Sequence, residues 1–268
     1  MQRIFSVIIV ILLALPMGYT MYSLYFSLSH DSGKLHIIYK AIHTPSDIQL
    51  LDGPIVAPIL YTSVISLKTL PTKKKKEAFI SILLPSILLA KRKISKERET
   101  LKRILALPTR SESEQKIIDK YKKIFRLKDE TLIPQKLVTH APSVVIAQAA
   151  IESGWGSSRF FTQANNLFGV WSFKKSDNRI AAGQTRSGKT IYLKKYKTLE
   201  GSVYDYFQTL SKVGSYAKFR EARAANENPL ELIKYLKSYS EMGAIYTQQL
   251  KTLIEKNDLQ KYDDYRLP

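Results

Sequence analysis

The chain has 268 residues, enough for one sizeable hydrophobic core plus an anchor or arm. It contains 42 Lys and Arg against 23 Asp and Glu, which gives a formal net charge of +19. Such a surplus favours a polyanionic partner, which can be nucleic acid, anionic lipid or an acidic cell-wall polymer. The chain has no cysteine, so disulfide bonds, a thiolate nucleophile and cysteine-based metal sites are excluded.

Residues 1–30 are predicted to be a membrane anchor. An uncharged and mostly apolar run extends from Ile4 to Leu28, which exceeds the ~20 residues needed to cross the roughly 30 Å hydrocarbon core of a bilayer. Arg3 precedes the run and favours a cytoplasmic N-terminus. The alternative is a cleaved signal peptide, but no small-x-small cleavage site is evident near residue 20. We expect an uncleaved anchor, with everything after it outside the cytoplasm.

Residues 31–70 are predicted to be a linker or a loosely packed arm. Prolines and Gly53 interrupt short apolar runs, and no helical or strand period persists. The histidines at positions 30, 36 and 43 are irregularly spaced and have no accompanying carboxylate pattern. They are typical of surface histidines, so we expect no metal site and no cofactor.

Residues 71–130 are predicted to form a helical extension. Apolar residues recur near helical spacing after the lysine run Lys73–Lys76, with Pro85 as an expected kink. Basic amphipathic helices are predicted to follow at residues 94–105 and 111–127. The lysine run could dock on anionic lipid or cell-wall polymer, but such runs are more often a solvated face, which is the interpretation we favour.

The most informative stretch runs from Ala141 to Trp171, within the predicted C-terminal domain of residues 131–268. Its first part is apolar on almost every side of a helix, which indicates a buried core helix. Pro142 suits the first helical position and Gly154 suits the left-handed residue that ends the helix. Two polar side chains, Gln148 and Glu152, lie four residues apart and therefore share one face.

Glu152 has the environment that a general acid requires. Burial, the negative end of the helix dipole and the indole of Trp155 would all raise the pKa of this carboxyl group. A glutamic acid that stays protonated near neutral pH can donate a proton in catalysis. The competing interpretation is that Glu152 caps or pairs locally and has no chemical role.

The remaining C-terminal region is predicted to be mostly helical with one small β lobe. A β-hairpin is expected from Ile180–Thr185 and Thr190–Tyr196, joined by a turn at residues 186–189. Helices are predicted at residues 199–213, 216–225, 229–239 and 245–256.

Two motifs resemble a known family. Ala149-Ala-Ile-Glu-Ser-Gly-Trp-Gly-Ser-Ser-Arg159, followed by Asn165-Asn-Leu-Phe-Gly169, is similar to the peptidoglycan β-N-acetylglucosaminidases of glycoside hydrolase family 73, which include the flagellar-rod glucosaminidase. The Bax-type membrane-associated subgroup is the closer match, because it shares a Lys-rich helix like 73–89 and a motif like Tyr239-Ser-Glu-Met-Gly-Ala-Ile-Tyr246. The resemblance covers roughly residues 71–258 and implies a lysozyme-like, mainly helical α+β fold of two lobes with one small β-hairpin.

The resemblance also implies roles for individual residues. Glu152 takes the place of the general acid, and Tyr239 matches a tyrosine that lines the cleft, although a core tyrosine is the alternative. The remaining expected substrate-binding residues are Gln148, Trp155, Asn166, Phe168 and Trp171. Asn166 and Phe168 are expected to shape the cleft before taking part in chemistry.

The second catalytic group is left open by the sequence. Between Val170 and Leu199 the only acidic residue is Asp177, in an otherwise basic hairpin. Asp177 could activate a water on the far side of the sugar, as in an inverting glycosidase, or it could be an ordinary loop acid, which we favour. Assistance by the N-acetyl group of the substrate needs no protein nucleophile and is a third route.

The expected function is hydrolysis of β-1,4 bonds in peptidoglycan glycan strands next to N-acetylglucosamine. Because a second acid is not evident, a non-hydrolytic cell-wall-binding protein and a lytic transglycosylase stay open as alternatives. Nucleic-acid binding is suggested by the charge alone, and we do not expect it, since the sequence has a predicted membrane span and no recognised nucleic-acid-binding motif.

Overall fold

The computed structural model describes residues 35–268 except Ser187, Asn226 and Glu227. Residues 38–268 form one compact unit, and residues 35–37, which belong to the preceding unit, have no regular secondary structure. The strands are β1 (Ile38–Ala41), β2 (Ile59–Ser63), β3 (Arg179–Arg186) and β4 (Lys189–Lys194). The helices are α1 (Thr72–Leu105), α2 (Glu112–Phe125), α3 (Ile133–Lys136), α4 (Pro142–Ser153), α5 (Arg159–Ala164), α6 (Leu199–Lys212), α7 (Ala217–Ala224), α8 (Pro229–Leu232) and α9 (Ala244–Lys256). Short 3-10 helices lie at Pro45–Asp47, Glu130–Leu132, Gly214–Tyr216, Ile233–Tyr239 and Leu259–Asp264.

The long helix α1 passes through the core. Its segment from Ala78 to Ala90 is buried without interruption, and the helix continues through Pro85 to Leu105. Phe79, Ile82 and Leu83 are fully buried, and α1 packs against α4 and α6. The apolar spacing predicted this helix, whereas the extent of its burial shows that it is part of the same core as the C-terminal helices.

The predicted buried helix is α4, and both of its ends agree with the sequence. Pro142 occupies the first turn, and Gly154 follows the helix in the left-handed region with φ +59°. The residue before the helix gives no side-chain cap. Instead, the Asp263 carboxylate accepts hydrogen bonds from Ser143 N at 2.7 Å and Ser143 Oγ at 2.8 Å. The Asp263 carboxylate therefore caps the N-terminus of α4, where its negative charge also interacts favourably with the positive end of the helix dipole.

Residues 38–67 differ from the prediction of a loosely packed arm. Strands β1 and β2 pair in parallel, with Ile38 opposite Ile59, and form a small sheet that the sequence did not indicate. Tyr61 and Leu67 are fully buried in the common core. The prediction was wrong in this respect because four- and five-residue strands are too short for a period to show against the intervening prolines.

The β-hairpin prediction is confirmed. Strands β3 and β4 are antiparallel, with Ile180 opposite Leu193 and Arg186 opposite Lys189, and a register shift lies between Ala181 and Thr185. The four helices predicted after the hairpin are also present, but the third becomes a 3-10 helix from Ile233 to Tyr239.

The fold class is mainly helical α+β with two small sheets, one more than the sequence predicted. Over the residues described here, no helix is both long enough and apolar enough to span a membrane. The predicted anchor at residues 1–30 lies outside the described residues.

Candidate active site

Glu152 lies in the last turn of α4, and its carboxyl group is partly buried. Burial raises the pKa of Glu152, and a hydrogen bond from the Tyr246 hydroxyl to Oε1, 3.1 Å long, partly opposes this rise. The direction agrees with the sequence-based hypothesis. A carboxyl group that is desolvated but still reachable can keep its proton at a higher pH than a surface glutamate.

A buried chain of hydrogen bonds leads to Glu152 from behind. The Tyr206 hydroxyl donates to Gln148 Oε1 at 2.5 Å, and Gln148 Nε2 donates to the Tyr246 hydroxyl at 3.0 Å. His140 Nε2 lies 2.8 Å from the Tyr206 hydroxyl. Because the single hydroxyl proton of Tyr206 is given to Gln148, His140 must donate through Nε2–H. All donors in the chain therefore point towards Glu152.

His140 is neutral in this arrangement. Burial lowers the pKa of His140 well below its ordinary value, with additional repulsion from Arg223 and Lys91. The rings of Tyr206, Phe207 and Phe219 all meet the imidazole edge-on, with centroids 5.1–5.7 Å apart. With the proton on Nε2, the Nδ1 atom carries a lone pair and no hydrogen. Within the described structure the buried Nδ1 has no hydrogen-bond partner, so no donor N–H is left unsatisfied there.

Three tyrosines surround the acid. The Tyr239 ring stacks on Tyr246 with centroids 5.8 Å apart and 9° between planes, and it lies 6.3 Å from Tyr216. Burial raises the pKa of each of the three hydroxyls, and the negative charge of Glu152 adds to the rise. The structure therefore places Tyr239 near Glu152, and the Tyr239 ring also packs against the core. Its role in lining the cleft stays a prediction.

Trp155 follows α4 in a turn of unusual backbone geometry. Gly154, Trp155 and Gly156 all have positive φ, at +59°, +57° and +75°. The Trp155 ring meets the edge of Phe79 at 5.6 Å, and Lys76 Nζ lies 5.2 Å from its centroid. The indole is therefore fixed by α1, and its remaining surface faces a cavity next to α9.

Three of the predicted substrate-binding residues are buried. Gln148, Asn166 and Phe168 are 0%, 1% and 5% exposed. The Asn166 amide bonds to the backbone of Val170 and Lys194, and Phe168 stacks on Tyr206 at 4.3 Å. Little of their surface is therefore open to a ligand, which suits the expectation that Asn166 and Phe168 shape the cleft. The substrate-binding role of all three residues stays a prediction.

Trp171 lies at the hairpin and is 39% exposed. Its ring is 6.1 Å from that of Phe173, which is 84% exposed, and its backbone bridges to Leu193 of β4. Such exposed rings can stack on the apolar face of a sugar, so the predicted role of Trp171 stays a prediction, with Phe173 as a neighbour that the sequence had not singled out.

Asp177 lies in the turn before β3, where Ser172 Oγ donates to its Oδ2 at 2.8 Å. This contact fits the loop interpretation, although it does not test a role in catalysis. Asp205 on α6 accepts hydrogen bonds from Lys194 Nζ at 2.6 Å and from the Tyr196 hydroxyl at 2.7 Å, and so joins α6 to β4.

Sequence reasoning missed the roles of Tyr246, Tyr206 and His140. Tyr246 lies in the helix predicted at residues 245–256 without any predicted role in the site, yet its hydroxyl is the direct partner of Glu152. A signal for it existed, because Tyr246 ends the motif that begins at Tyr239. His140 and Tyr206 carried no such signal, since their contacts to the chain depend on tertiary packing.

Comparison with known proteins identifies the domain. Residues 134–259 match the family model named Glucosaminidase, described as mannosyl-glycoprotein endo-beta-N-acetylglucosaminidase. This segment, slightly less than half of the chain, is a glucosaminidase domain similar to those of glycoside hydrolase family 73.

Individual proteins are similar to parts of this chain. The chain is 32% identical over 131 residues to the exo-glucosaminidase LytG of Bacillus subtilis (strain 168), which is 46% of each chain. It is 30% identical over 121 residues to protein bax of Escherichia coli (strain K12), covering 43% of this chain and 42% of the relative. Among solved structures, it is similar to the catalytic domain of the autolysin Auto from Listeria monocytogenes, with 25% identity, a TM-score of 0.39, and coverage of 60% of this chain and 94% of that one. The matches span less than half the length of the two curated relatives.

Proposed function

We propose that the protein hydrolyses β-1,4 glycosidic bonds of peptidoglycan glycan strands next to N-acetylglucosamine, with Glu152 as the general acid. The observation that carries the proposal is the desolvated Glu152 carboxyl, whose pKa is raised by burial, at the end of the buried helix of a glucosaminidase-family domain. The name of LytG, an exo-glucosaminidase, supports the substrate class.

The hydrogen-bond chain supports a defined position for the catalytic proton. Tyr246 gives its only hydroxyl proton to Oε1 of Glu152, so Oε1 acts as an acceptor. The proton of the neutral acid then resides on Oε2. In the proposed reaction this proton goes to the glycosidic oxygen as the bond from that oxygen to C1 breaks. A water then adds to C1 and gives up one proton, either to Asp177 or, with assistance by the substrate, to the Glu152 carboxylate.

The second group can be supplied in two ways within this proposal. Asp177 could activate the water, or the N-acetyl group of the substrate could assist. The Asp177→Asn variant separates the two routes. A large loss of kcat indicates Asp177 as the base, and an activity near that of the wild type indicates assistance by the substrate.

The test of the proposed function uses full-length wild type and Glu152→Gln on purified peptidoglycan, with products read by mass spectrometry. Wild type alone should release fragments with reducing N-acetylglucosamine ends. Glu255→Gln, a surface glutamate on α9 that pairs with Lys251 at 3.9 Å, is the matched control and should stay active. Anhydro-muramyl ends would indicate a lytic transglycosylase, and binding of peptidoglycan without any fragments would indicate a non-hydrolytic binding protein.

We further propose that residues 1–30 anchor the protein in the inner membrane with the domain on the periplasmic side. The apolar run from Ile4 to Leu28 and the net charge of +19, suited to a polyanionic cell wall, support this location. Carbonate extraction of membranes combined with protease treatment of spheroplasts tests it. Release of the protein by carbonate, or protection of the domain from protease, would contradict it.

A further inference from the structure

The cavity that the Trp155 ring faces has a volume of about 470 Å³ and lies along one face of α9. We call it the α9 pocket and define it by six of its lining residues, which are Lys76, Trp155, Gln248, Gln249, Lys256 and Asn257. The α9 residues in this set recur at helical spacing, so they form one face of the helix. The volume is in the range of pockets that hold organic ligands of several hundred Å³.

Lys76 is fixed in the pocket as a cation. Its Nζ donates to Asn257 Oδ1 at 2.6 Å, and it lies 5.2 Å from the centroid of the Trp155 ring. The Asn257 Nδ2 donates to Leu253 O at 2.8 Å, which turns the Oδ1 atom of the amide towards Lys76. An ammonium group has three donors, and Asn257 accepts only one of them. The others are available to a ligand.

The pocket carries positive charge that the protein does not neutralise. In the part of the chain that the structure describes, neither Lys76 nor Lys256 has a carboxylate within 4.0 Å. Exposed amide side chains at Gln248 and Gln249 add both donors and acceptors at the same face. Two cations with amides and an aromatic ring are the complement of a peptide that bears carboxylates.

The pocket adjoins the proposed acid through two elements. Trp155 follows Glu152 by three residues, and the pocket-lining Ile245 precedes Tyr246, which donates to Glu152. In peptidoglycan, every second sugar carries a short peptide with free carboxylates, so such a peptide lies close to each scissile bond. The positive charge of the α9 pocket and its position near Glu152 therefore both favour a carboxylate-bearing peptide as the ligand.

We propose that the α9 pocket binds the carboxylate-bearing stem peptide of the glycan strand and thereby favours peptide-substituted substrate. The inference rests on the proposed function and adds the recognition of the peptide. Lys76 and Lys256 bind carboxylates, the two glutamines bind peptide groups, and Trp155 packs against the peptide side chains.

The test compares soluble glycan strands that carry stem peptides with the same strands after an amidase has removed the peptides. Binding is measured by calorimetry on full-length Glu152→Gln protein, and cleavage on protein with Glu152 intact. Lys76→Gln and Lys256→Gln are made in both backgrounds. Lys251→Gln is the control, because it removes one charge from the same helix at a residue outside the pocket lining.

We expect tighter binding of the peptide-bearing strands, and each lysine variant should weaken it about threefold, as for a solvent-accessible ion pair, with about tenfold for the double variant. Binding of the stripped strands should be unchanged, and KM should change without kcat. Equal affinity of the parent protein for both strands would overturn the inference. So would an equal loss on both strands, since this would indicate non-specific attraction.

The two proposals fail in different ways. If no protein releases fragments while the affinity difference and its lysine dependence persist, the proposed hydrolysis fails and peptide recognition stands. If both strands are cleaved equally well by the parent and by the lysine variants, hydrolysis stands and peptide recognition fails.

Discussion

The hydroxyl of Tyr246 sets the pH range over which the proposed acid stays protonated, and Tyr246→Phe tests this directly. The hydroxyl donates to Glu152 Oε1 at 3.1 Å and stabilises the charged carboxylate, which opposes the effect of burial. Removing the hydroxyl leaves burial unopposed, so the pKa of Glu152 should rise further. Because the general acid acts in its protonated form, the basic limb of the activity profile should move to higher pH.

The size of this shift follows from the hydrogen bond. A hydrogen bond to a charged group contributes about 1.5–3 kcal/mol, and the lower end suits a carboxyl group that is only partly buried. Since about 1.4 kcal/mol corresponds to one pH unit, the basic limb should move upward by about one unit. The variant should also lose about 1–3 kcal/mol of stability, because the buried Gln148 Nε2 loses its acceptor.

The assay is kcat/KM for release of reducing ends from peptidoglycan, measured across pH, together with thermal unfolding of each protein. Tyr265→Phe is the control, since this residue lies near the C-terminus, where its ring packs edge-on against that of Tyr262. The control should leave the limb in place. A basic limb for Tyr246→Phe that stays where it is, or moves to lower pH, would refute the assigned role of the hydroxyl.

Three further predictions concern stability. Because burial raises the pKa of Glu152 above 4.5, the wild type should lose stability relative to Glu152→Gln as the pH rises through and above that value. A difference in Tm between these two proteins that stays constant from pH ~4 to ~7 would contradict this. The pKa of buried His140 is well below its ordinary value of 6.5. At pH values below about 6.5 the unfolded chain therefore takes up a proton that the folded protein does not, and the wild type should lose stability. The His140→Gln variant should show a smaller decrease in Tm between about pH 7.5 and about pH 5.5. Gly156→Ala should lower the free energy of unfolding in urea by about 2–4 kcal/mol, because φ is +75° and the new Cβ would lie 3.0–3.1 Å from three core side chains. Gly169→Ala, at φ +64° with nothing within 4 Å of the new Cβ, should lower it by only about 1–2 kcal/mol. Equal losses for the two variants would show that packing is not the cause.

The parts of the site that the sequence predicted are local in the chain. Pro142, the apolar run and Gly154 define α4 within thirteen residues, so the position of Glu152 in its last turn followed from helix periodicity and from the ends of the helix. The hairpin was equally local, because two short strand-like runs lie close together in the sequence on either side of residues 186–189. Such signals depend on neighbours in the sequence and require no knowledge of tertiary contacts.

The parts that the sequence did not predict join residues far apart. Strand β1 pairs with β2 in parallel across a connection of seventeen residues. Strand β2 shows no strand-like pattern in the sequence. The cap of α4 comes from Asp263, 120 residues after Ser143. A carboxylate at position 263 has no feature that sets it apart from other surface acids until the chain is folded.

The environment of Glu152 shows why both kinds of information are required. The sequence predicted the direction of its pKa shift from burial, which any helix this apolar imposes. It could not predict the opposing donor, because Tyr246 is 94 residues away and Gln148 reaches it only when α9 packs on α4. Burial raises the pKa of Glu152 and the tyrosine limits that rise, so the pH range of the proposed acid is set by the contact between these two helices. A substitution in the contact between α9 and α4 that spares every polar group should therefore also change the pH profile.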